Sequence, residues 1–301
     1  MRGMHLSVAA AVAAVLTLAP ATAHAGPFTV TPSNDATALA QAIVGTGVTL
    51  SGTPTLTGIN GQSGTFVDFT TGNFTNPLTN VSGNITIDQG IILSSGLVAN
   101  GDGNFAGGAN SNLGGAGDAQ LDAASGFQTE DAVALTFNFV PDANQIFIQF
   151  LFASTEYPTF VNTQFNDVFA FFVNGTNVAL VPGTTDEVTI NNINVGRPVG
   201  TNPSNQQFFT QYSQLGTPFN YGGATVLLTA TANVNPNEVN TFKFAIADAS
   251  DRNLDSAVFI GAGTFSTEEP EEPENPVPEP TTMSLLGLGM AAAYRARRRL
   301  A

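Results

Sequence analysis

Residues 133–139, VALTFNF, and residues 146–152, IFIQFLF, decide the fold class of this chain. In the first stretch, large apolar residues alternate with Ala, Thr and Asn, which is the period of a β-strand with one buried face. The second stretch is apolar on nearly both faces, which indicates a central strand of a sheet. Residues 141–144, PDAN, are turn formers and join the two stretches, so the pattern predicts a β-hairpin.

Eight further stretches have strand character and are separated by segments rich in turn-forming residues. They are residues 65–69, 85–93, 168–173, 178–181, 188–193, 224–234, 241–247 and 256–265. One short helix is predicted over residues 36–44, capped by Ser33 or Asn34 and ended by Gly45. Together these patterns predict an all-β protein, a jelly-roll-like β-sandwich with one short N-terminal helix, whose core is formed largely by the 23 phenylalanines.

The residue types of the chain exclude the commonest catalytic chemistries. There is no Cys, and the two histidines, His5 and His24, both lie close to the start of the sequence. Without imidazole or thiol, the remaining body cannot form a Ser-His-Asp triad, a Cys nucleophile or a zinc site of His and Cys. We therefore predict that the protein is not an enzyme.

The charge of the body excludes another class of partner. Residues 26–280 contain all 23 acidic residues of the chain but only three basic ones, so their formal net charge is −20. The three bases are Arg197, Lys243 and Arg252. A body of this charge repels nucleic acid and anionic membrane surfaces and attracts divalent cations.

Residues 1–25 are predicted to be a secretory signal peptide. Arg2 precedes an apolar run over residues 6–19, and the small residues in AHA at positions 23–25 fit a cleavage site. Cleavage is therefore expected between Ala25 and Gly26. The alternative is that the apolar run forms a buried helix.

The C-terminal part of the chain divides into a linker and an apolar segment. Residues 266–280 contain six acids and five prolines, which predicts an extended spacer that cannot form a core. The apolar run over residues 283–294 is shorter than the roughly 20 residues that span a bilayer comfortably. Arginines follow it, and they are expected to hold the run on the cytoplasmic side during export.

Residues 277–301 resemble a PEP-CTERM sorting signal. The resemblance rests on the motif Val277, Pro278, Glu279 and Pro280, on the apolar run, and on the cluster Arg297, Arg298 and Arg299. It implies processing by an exosortase in a Gram-negative bacterium that makes exopolysaccharide, with transient or C-terminal membrane association. The alternative is a plain C-terminal anchor.

Five stretches of the body resemble, in their order, the choice-of-anchor L domain. They are residues 90–96, GIILSSG; 131–135, DAVAL; 152–158, FASTEYP; 165–172, FNDVFAFF; and 245–249, AIADA. The resemblance covers roughly residues 35–265 of a predicted domain over residues 26–265. It implies secretion and attachment to a surface, and it supplies no established catalytic residues.

Six oxygen-bearing side chains are candidate ligands for Ca²⁺, the one cofactor that the sequence suggests. They are Glu156, Asn166 and Asp167 around one inter-strand loop, and Asp248, Asp251 and Asp255 in another. Ca²⁺ takes six to eight oxygens from carboxylates, amides and backbone carbonyls, and both loops supply all three kinds. The alternative is that these residues make turns and cap strands.

Three classes of function remain, of which the first is favoured. The first is an exported, non-enzymatic protein of the cell surface or exopolysaccharide matrix, with a structural or adhesive role and with polysaccharide or other matrix proteins as partners. The second is a calcium-dependent carbohydrate-binding module, although only Tyr157, Tyr212 and Tyr221 offer amphipathic rings in a body without Trp. The third is a glycosidase that uses Glu156 and Asp167 as its two carboxylates.

Overall fold

The computed structural model describes residues 28–71, 74–80, 82–101, 109–211 and 220–270. Within these residues the chain forms two antiparallel sheets that pack together, so the predicted all-β sandwich is confirmed. The jelly-roll connectivity stays a prediction. The predicted signal peptide, the sorting segment and most of the predicted linker lie outside the described residues.

The described part of the chain contains sixteen strands. They are β1 (Thr29–Pro32), β2 (Val48–Thr57), β3 (Ser63–Thr70), β4 (Phe74–Thr75), β5 (Ser82–Gly83), β6 (Thr86–Ser94), β7 (Thr129–Pro141), β8 (Gln145–Ser154), β9 (Val168–Val173), β10 (Thr176–Asn177), β11 (Val188–Thr189), β12 (Phe209–Gln211), β13 (Gly223–Thr225), β14 (Leu228–Asn233), β15 (Asn240–Ala249) and β16 (Ser256–Gly261).

The two sheets share the strands unequally. The larger sheet has the order β1-β3-β6-β16-β8-β13-β12-β4-β5, and β14 also pairs with β8. The smaller sheet has the order β10-β9-β15-β7-β2, and β11 also pairs with β9. Across the sandwich, β15 contacts β6 and β16, so the centres of the two sheets face each other.

The hairpin predicted for the two stretches that decide the fold is wrong. β7 pairs with β2 and β15 in the smaller sheet, whereas β8 pairs with β13, β14 and β16 in the larger one. Residues 141–144 therefore carry the chain from one sheet to the other. Alternation shows which side chains face the core, but it does not show which strand lies alongside. The central position predicted for β8 is confirmed.

Two α-helices and two short 3₁₀ helices accompany the strands in the described residues. Helix α1 (Ala36–Ile43) follows Asp35, whose carboxylate accepts two backbone N–H groups of the first turn at 3.0 Å. The predicted cap at Ser33 or Asn34 is therefore wrong. Helix α2 (Ala119–Ser125) was not predicted. The 3₁₀ helices are Val98–Gly101 and Gln206–Phe208.

Four predicted strands are shorter than the sequence pattern indicates, and the one predicted over residues 256–265 ends at Gly261. Residues 224–234 divide into β13 and β14, and residues 188–193 retain only β11. The chain turns after β11, where the N–H groups of Asn192 and Ile193 both return to the carbonyl of Thr189. Residues 178–181 contribute one isolated bridge, at Leu180.

Phenylalanine rings fill the middle of the sandwich, as predicted. Phe242 of β15 lies at the centre of this group, and its ring centroid is 4.3 to 4.7 Å from those of Phe137, Phe171 and Phe265. All four side chains are buried. The centre of the fold is therefore held by aromatic packing that needs no polar partner.

Candidate functional site

The acidic residues of interest lie at one end of the sandwich, where six central strands begin or finish. β6, β8 and β15 finish there, and β7, β9 and β16 begin there. The inner positions that hold phenylalanine in the middle of the fold are taken at this end by serine and carboxylate side chains. We call this region the acidic end and define it by five buried residues: Asp131, Glu156, Asp167, Asp248 and Asp255.

Asp248 lies near the finish of β15, opposite a bulge in β7. The register between the two strands shifts between Ile246 and Asp248, and Asp131 in the bulge has φ of 48°. Asp is one of the few residues that tolerate this left-handed conformation. Asp248 is fully buried, and among the described residues neither of its carboxylate oxygens has a partner at full hydrogen-bond geometry, although the hydroxyl of Ser95 lies close enough to lower its pKa.

Asp167, directly before β9, connects the two sheets. Its Oδ1 accepts the backbone N–H of Ala249 at 2.9 Å, and its Oδ2 accepts the hydroxyl of Ser256 at 2.6 Å. Ala249 belongs to the smaller sheet and Ser256 to the larger one. The carboxylate of Asp167 therefore fixes the separation of the sheets at this end.

Asp255 and Asp131 hold a loop across the acidic end. Asp255 accepts the backbone N–H of Ser111 at 2.8 Å and the Ser111 hydroxyl at 2.9 Å. Asp131 accepts the backbone N–H of Leu113 at 3.0 Å and that of Gly115. Both oxygens of each carboxylate are therefore engaged as acceptors.

Glu156 follows β8 in the adjacent loop. It is 2% exposed, and its Oε2 has no hydrogen-bond partner in the described part of the chain. Its backbone N–H is bonded to the hydroxyl of Ser154 at 2.9 Å, which holds the start of the loop in place.

Burial, and then the charges of neighbouring carboxylates, changes the pKa values of these groups. Burial, and then the charges of Asp167 and Asp251, raises the pKa of Glu156 to about 9. Burial also raises the pKa of Asp167 to about 7, although the hydrogen bonds that it accepts lower it in part. The pKa of Asp255 rises to about 6, and that of Asp248 rises well above its ordinary value, in both cases chiefly because of burial.

Positive charge reaches the acidic end through Arg252, which pairs with Glu130 at the rim and with the buried Asp131. Arg252 Nη2 lies 2.5 Å from Glu130 Oε2, and Arg252 Nε lies 3.9 Å from Asp131 Oδ1. The other two bases of the described body are engaged elsewhere: Lys243 pairs with Asp118, and Arg197 donates to a backbone carbonyl. None of these bases forms a salt bridge with Asp248.

Two of the six predicted ligands do not point into the acidic end. The side chain of Asn166 donates to the carbonyl of Ser125 and accepts the N–H of Asn191, both at 2.8 Å. Asp251 accepts the N–H of Asn253 at 3.0 Å, so it makes a turn at the rim, as the alternative interpretation expected. Sequence reasoning missed Asp131, although it is the first residue of one quoted stretch.

The carboxylates of the acidic end do not close around a common point. In the described residues, no group of three or more His, Cys, Asp or Glu side chains has the arrangement of a metal site. What this end offers instead is a set of buried oxygens, most of which accept hydrogen bonds, together with oxygens on Asp248 and Glu156 that lack a partner at full hydrogen-bond geometry in the described residues.

The tyrosines considered for a glycan site lie elsewhere or are inaccessible. Tyr157 and Tyr221 are each 2% exposed, and the hydroxyl of Tyr157 donates to the carbonyl of Ile193 at 2.8 Å. Neither ring can stack on a sugar from solvent. Tyr212 lies outside the described residues.

Comparison with known protein families gives two matches. Residues 29–266, most of the chain, match the family model of the choice-of-anchor L domain. The chain belongs to the choice-of-anchor L family. Four of the five stretches that resembled this domain contribute residues to the acidic end: Asp131, Glu156, Asp167 and Asp248. The fifth contributes Ser95, whose hydroxyl lies beside Asp248. No curated protein and no solved structure matches the chain.

The second match covers the other end of this choice-of-anchor L protein. Residues 276–299 match the PEP-CTERM protein-sorting motif. A signal of this kind is recognised by an exosortase and implies export to the cell envelope or surface of a Gram-negative bacterium. The motif and its arginines lie outside the described residues, and in the described ones no helix is long and apolar enough to cross a membrane.

Proposed function

We propose that the protein is an exported, non-enzymatic component of the cell surface or exopolysaccharide matrix, in which the sandwich is a structural or adhesive module. The observation that carries this proposal is the order of the two family matches. The choice-of-anchor L domain finishes at residue 266 and the sorting motif begins at residue 276, so only a short acidic segment separates them. This order places a folded module directly before the segment that is processed at the envelope.

The burial of the candidate catalytic carboxylates supports a non-enzymatic role. A glycosidase must bring both catalytic carboxyl groups to the scissile bond of its substrate. Glu156 and Asp167 are only 2% and 1% exposed. The surface grooves of about 360, 550 and 250 Å³ are lined by other residues. In the described part of the chain, these two side chains are therefore not exposed to a substrate in solvent.

Fractionation of an exosortase-containing host tests the sorting step. We expect the protein at the cell surface or in the medium, without Arg297, Arg298 and Arg299, as measured by mass spectrometry of its C-terminus. Glu279→Ala in the sorting motif should leave the arginines in place, whereas Glu274→Ala in the linker is the matched control and should be processed normally. Full-length protein in the cytosol of the wild-type strain would overturn the proposal.

The adhesive or structural role is tested on the same strains. Cells that carry the wild-type protein should retain more biomass and polysaccharide on a surface than cells that carry Glu279→Ala. The variant is a suitable comparison because the whole sandwich is still made. Equal retention by the two strains, at equal protein levels, would contradict a role in the matrix.

A second candidate is a calcium-dependent carbohydrate-binding module. The groove of about 360 Å³ favours it, because polar side chains that can bond sugar hydroxyls line much of its wall: Thr86, Asp88, Gln89, Gln149 and Thr264. A glycan array with and without Ca²⁺ decides between the candidates. Binding that requires Ca²⁺ supports the module, and no binding under either condition removes it.

A further inference from the structure

The last residues of the sandwich connect it to the segment that carries the sorting motif. We call residues 263–267 the joint. β16 finishes at Gly261, at the end of the sandwich opposite the acidic end. The chain turns there, and the N–H of Thr264 donates to the carbonyl of Gly261 at 3.4 Å. A protein that is held by its C-terminal segment is therefore pulled through the joint before any strand bears the load.

Two neighbouring segments flank the joint, and both are hydrogen-bonded to its backbone. On one side, the N–H of Phe265 donates to the carbonyl of Ile43, and its carbonyl accepts the N–H of Gly45, both at 2.9 Å. On the other side, Ser266 exchanges two backbone hydrogen bonds with Phe147 of β8, at 2.8 and 3.1 Å. The joint is therefore held from both sides, unlike a strand at the edge of a sheet.

Side chains of the joint add to this backbone bonding. The ring of Phe265 is fully buried, and its centroid lies 4.6 Å from that of Phe242. Thr267 donates its backbone N–H to the carbonyl of Thr46 at 2.9 Å and its hydroxyl to the carboxylate of Asp142 at 2.8 Å. The joint cannot leave the sandwich without exposing an aromatic ring and breaking hydrogen bonds on both of its sides.

The joint fits closely against the connection between α1 and β2. A Cβ at Gly45 would lie 1.9 Å from the carbonyl oxygen of Gly263 and 3.2 Å from Cβ of Ser266. Real Cβ atoms do not approach a backbone oxygen so closely, so any side chain at Gly45 must push the two segments apart. Glycine at this position is what allows the two backbones to meet.

We propose that the joint is a load-bearing attachment, which transmits tension from the C-terminal segment to both sheets of the sandwich. The bonds to Phe147 lead into β8 of the larger sheet. The bonds to residues 43–46 lead into β2 of the smaller sheet, which begins at Val48. Because contacts with both neighbours must break together, a pull from the C-terminus meets the resistance of the whole sandwich and not that of a single edge.

This inference rests on the proposed surface role, because only a protein that is held by its C-terminal segment is pulled there. The two proposals nevertheless fail separately. Fractionation tests whether the protein is sorted and attached, whereas the strength of the joint is measured on single molecules of the purified full chain.

Constant-force measurements on single molecules test the joint. The chain has no Cys, so Ala123→Cys on the exposed side of α2 supplies a unique thiol as one handle, and a tag at the C-terminus supplies the other. The unfolding rate sets the lifetime of a folded protein under load. Gly45→Ala should shorten this lifetime by at least about tenfold, because the added Cβ separates the joint from its neighbour.

Gly222→Ala is the matched control. A Cβ there would also lie 1.9 Å from a backbone carbonyl oxygen, that of Tyr157, but Gly222 bonds to Ser154 at the acidic end. Each variant is pulled from residue 123 against a C-terminal tag and, separately, against an N-terminal tag. The ratio of the C-terminal lifetime to the N-terminal lifetime should fall in Gly45→Ala only. An equal ratio in the two variants would overturn the proposal, because the joint would then contribute only to global stability.

Thr267→Val decides the question if Gly45→Ala does not fold. It removes the hydroxyl that donates to Asp142 but adds no bulk, and it should shorten the lifetime under C-terminal load by about threefold or more. Thr163→Val is its control, because it removes a hydroxyl that donates to the carbonyl of Phe160 in the loop after β8, away from the joint. Equal lifetimes of these two variants would overturn the proposal.

Discussion

The middle and the acidic end of the sandwich are formed by the same strands, but different forces hold them together. In the middle, Phe242 packs against rings from both neighbouring strands and needs only exclusion from water. At the acidic end, Asp167 and Asp255 hold strands and loop together through directed hydrogen bonds. The first kind of packing tolerates changes of pH and ions, whereas the second depends on the charge that each carboxylate carries.

The largest expected difference between the two regions is their response to pH. The folded-state pKa values of Glu156, Asp167 and Asp255 are raised, so the folded protein binds more protons than the unfolded one. Without metal, the free energy of unfolding should be highest near pH 4 to 5 and should fall as pH rises through about 6, 7 and 9. Each unit of pKa shift corresponds to about 1.4 kcal/mol, so the decline is large enough to measure by denaturation.

Urea unfolding in EGTA across this pH range measures the effect. The variant Glu156→Gln removes the carboxyl group whose pKa burial raises to about 9, so the decline between pH 7 and pH 9 should become smaller. Asp118 provides an internal comparison, because its pKa is lowered and not raised. Burial raises this pKa, but Lys243 and the helix N–H groups lower it by more. A free energy of unfolding that rises from pH 5 to 9 would contradict the account of the acidic end.

Phe242→Ala should be the most damaging single substitution in the middle of the fold. Removal of a fully buried ring leaves a cavity between the sheets, and we expect a loss of about 3–5 kcal/mol in the free energy of unfolding. Val239→Ala is the control, because Val239 is 59% exposed and its replacement should cost less than about 0.5 kcal/mol. Equal losses of unfolding free energy in the two variants would show that the phenylalanine rings do not stabilise the core.

The same variant sharpens the comparison with the acidic end. Phe242 lies on the same strand as Asp248 but six residues earlier, about 20 Å along an extended strand, so Phe242→Ala should keep the pH dependence of the free energy of unfolding. If that dependence disappears while the protein still unfolds cooperatively, the two regions are not independent.

Gly96→Ala should destabilise the acidic end by about 1–3 kcal/mol. A Cβ at this position would lie 1.8 Å from Asp255 Oδ2, and that carboxylate cannot move freely because Ser111 holds both of its oxygens. The control is Gly83→Ala, where the nearest atom would be a Phe74 ring carbon at 3.3 Å. Chemical denaturation of both variants measures the difference in their free energies of unfolding. Equal values would show that Asp255 is free to move away from the new Cβ.

The smallest expected effect belongs to the ion pair of Lys243 and Asp118, which lies outside the acidic end. Both side chains are about one-fifth exposed, so Asp118→Asn should cost less than about 1 kcal/mol. Asparagine still caps α2, which separates the loss of charge from the loss of the helix cap. The loss should shrink in 1 M NaCl, and a cost that does not change with salt would contradict an electrostatic origin.

The sequence allowed the class of the fold to be predicted, but not its pairing. Alternation in β7 and β8 identified both strands and the buried faces of each. It could not show that they belong to different sheets, because PDAN at residues 141–144 makes a turn in either case. The cap of α1 was also missed, since Ser33, Asn34 and Asp35 are all good caps and only backbone geometry selects Asp35.

The site was predictable in its residue types but not in its connections. Glu156, Asp167, Asp248 and Asp255 were identified as acids in loops, and the antiparallel order of the strands brings these loops together. Asp131 was missed because its place depends on a bulge that no local pattern indicates. The sequence also could not show that the partners of Asp255 come from Ser111, more than 140 residues earlier.

Titration of the side-chain carboxyl groups by ¹³C NMR is the most direct test of the central claim that the acidic end depends on the charge of its carboxylates. The account predicts that, because both groups are buried, the pKa of Asp167 is raised to about 7 and that of Glu156 to about 9. Titration of both groups at the pKa of an exposed carboxyl, about 4, would contradict it.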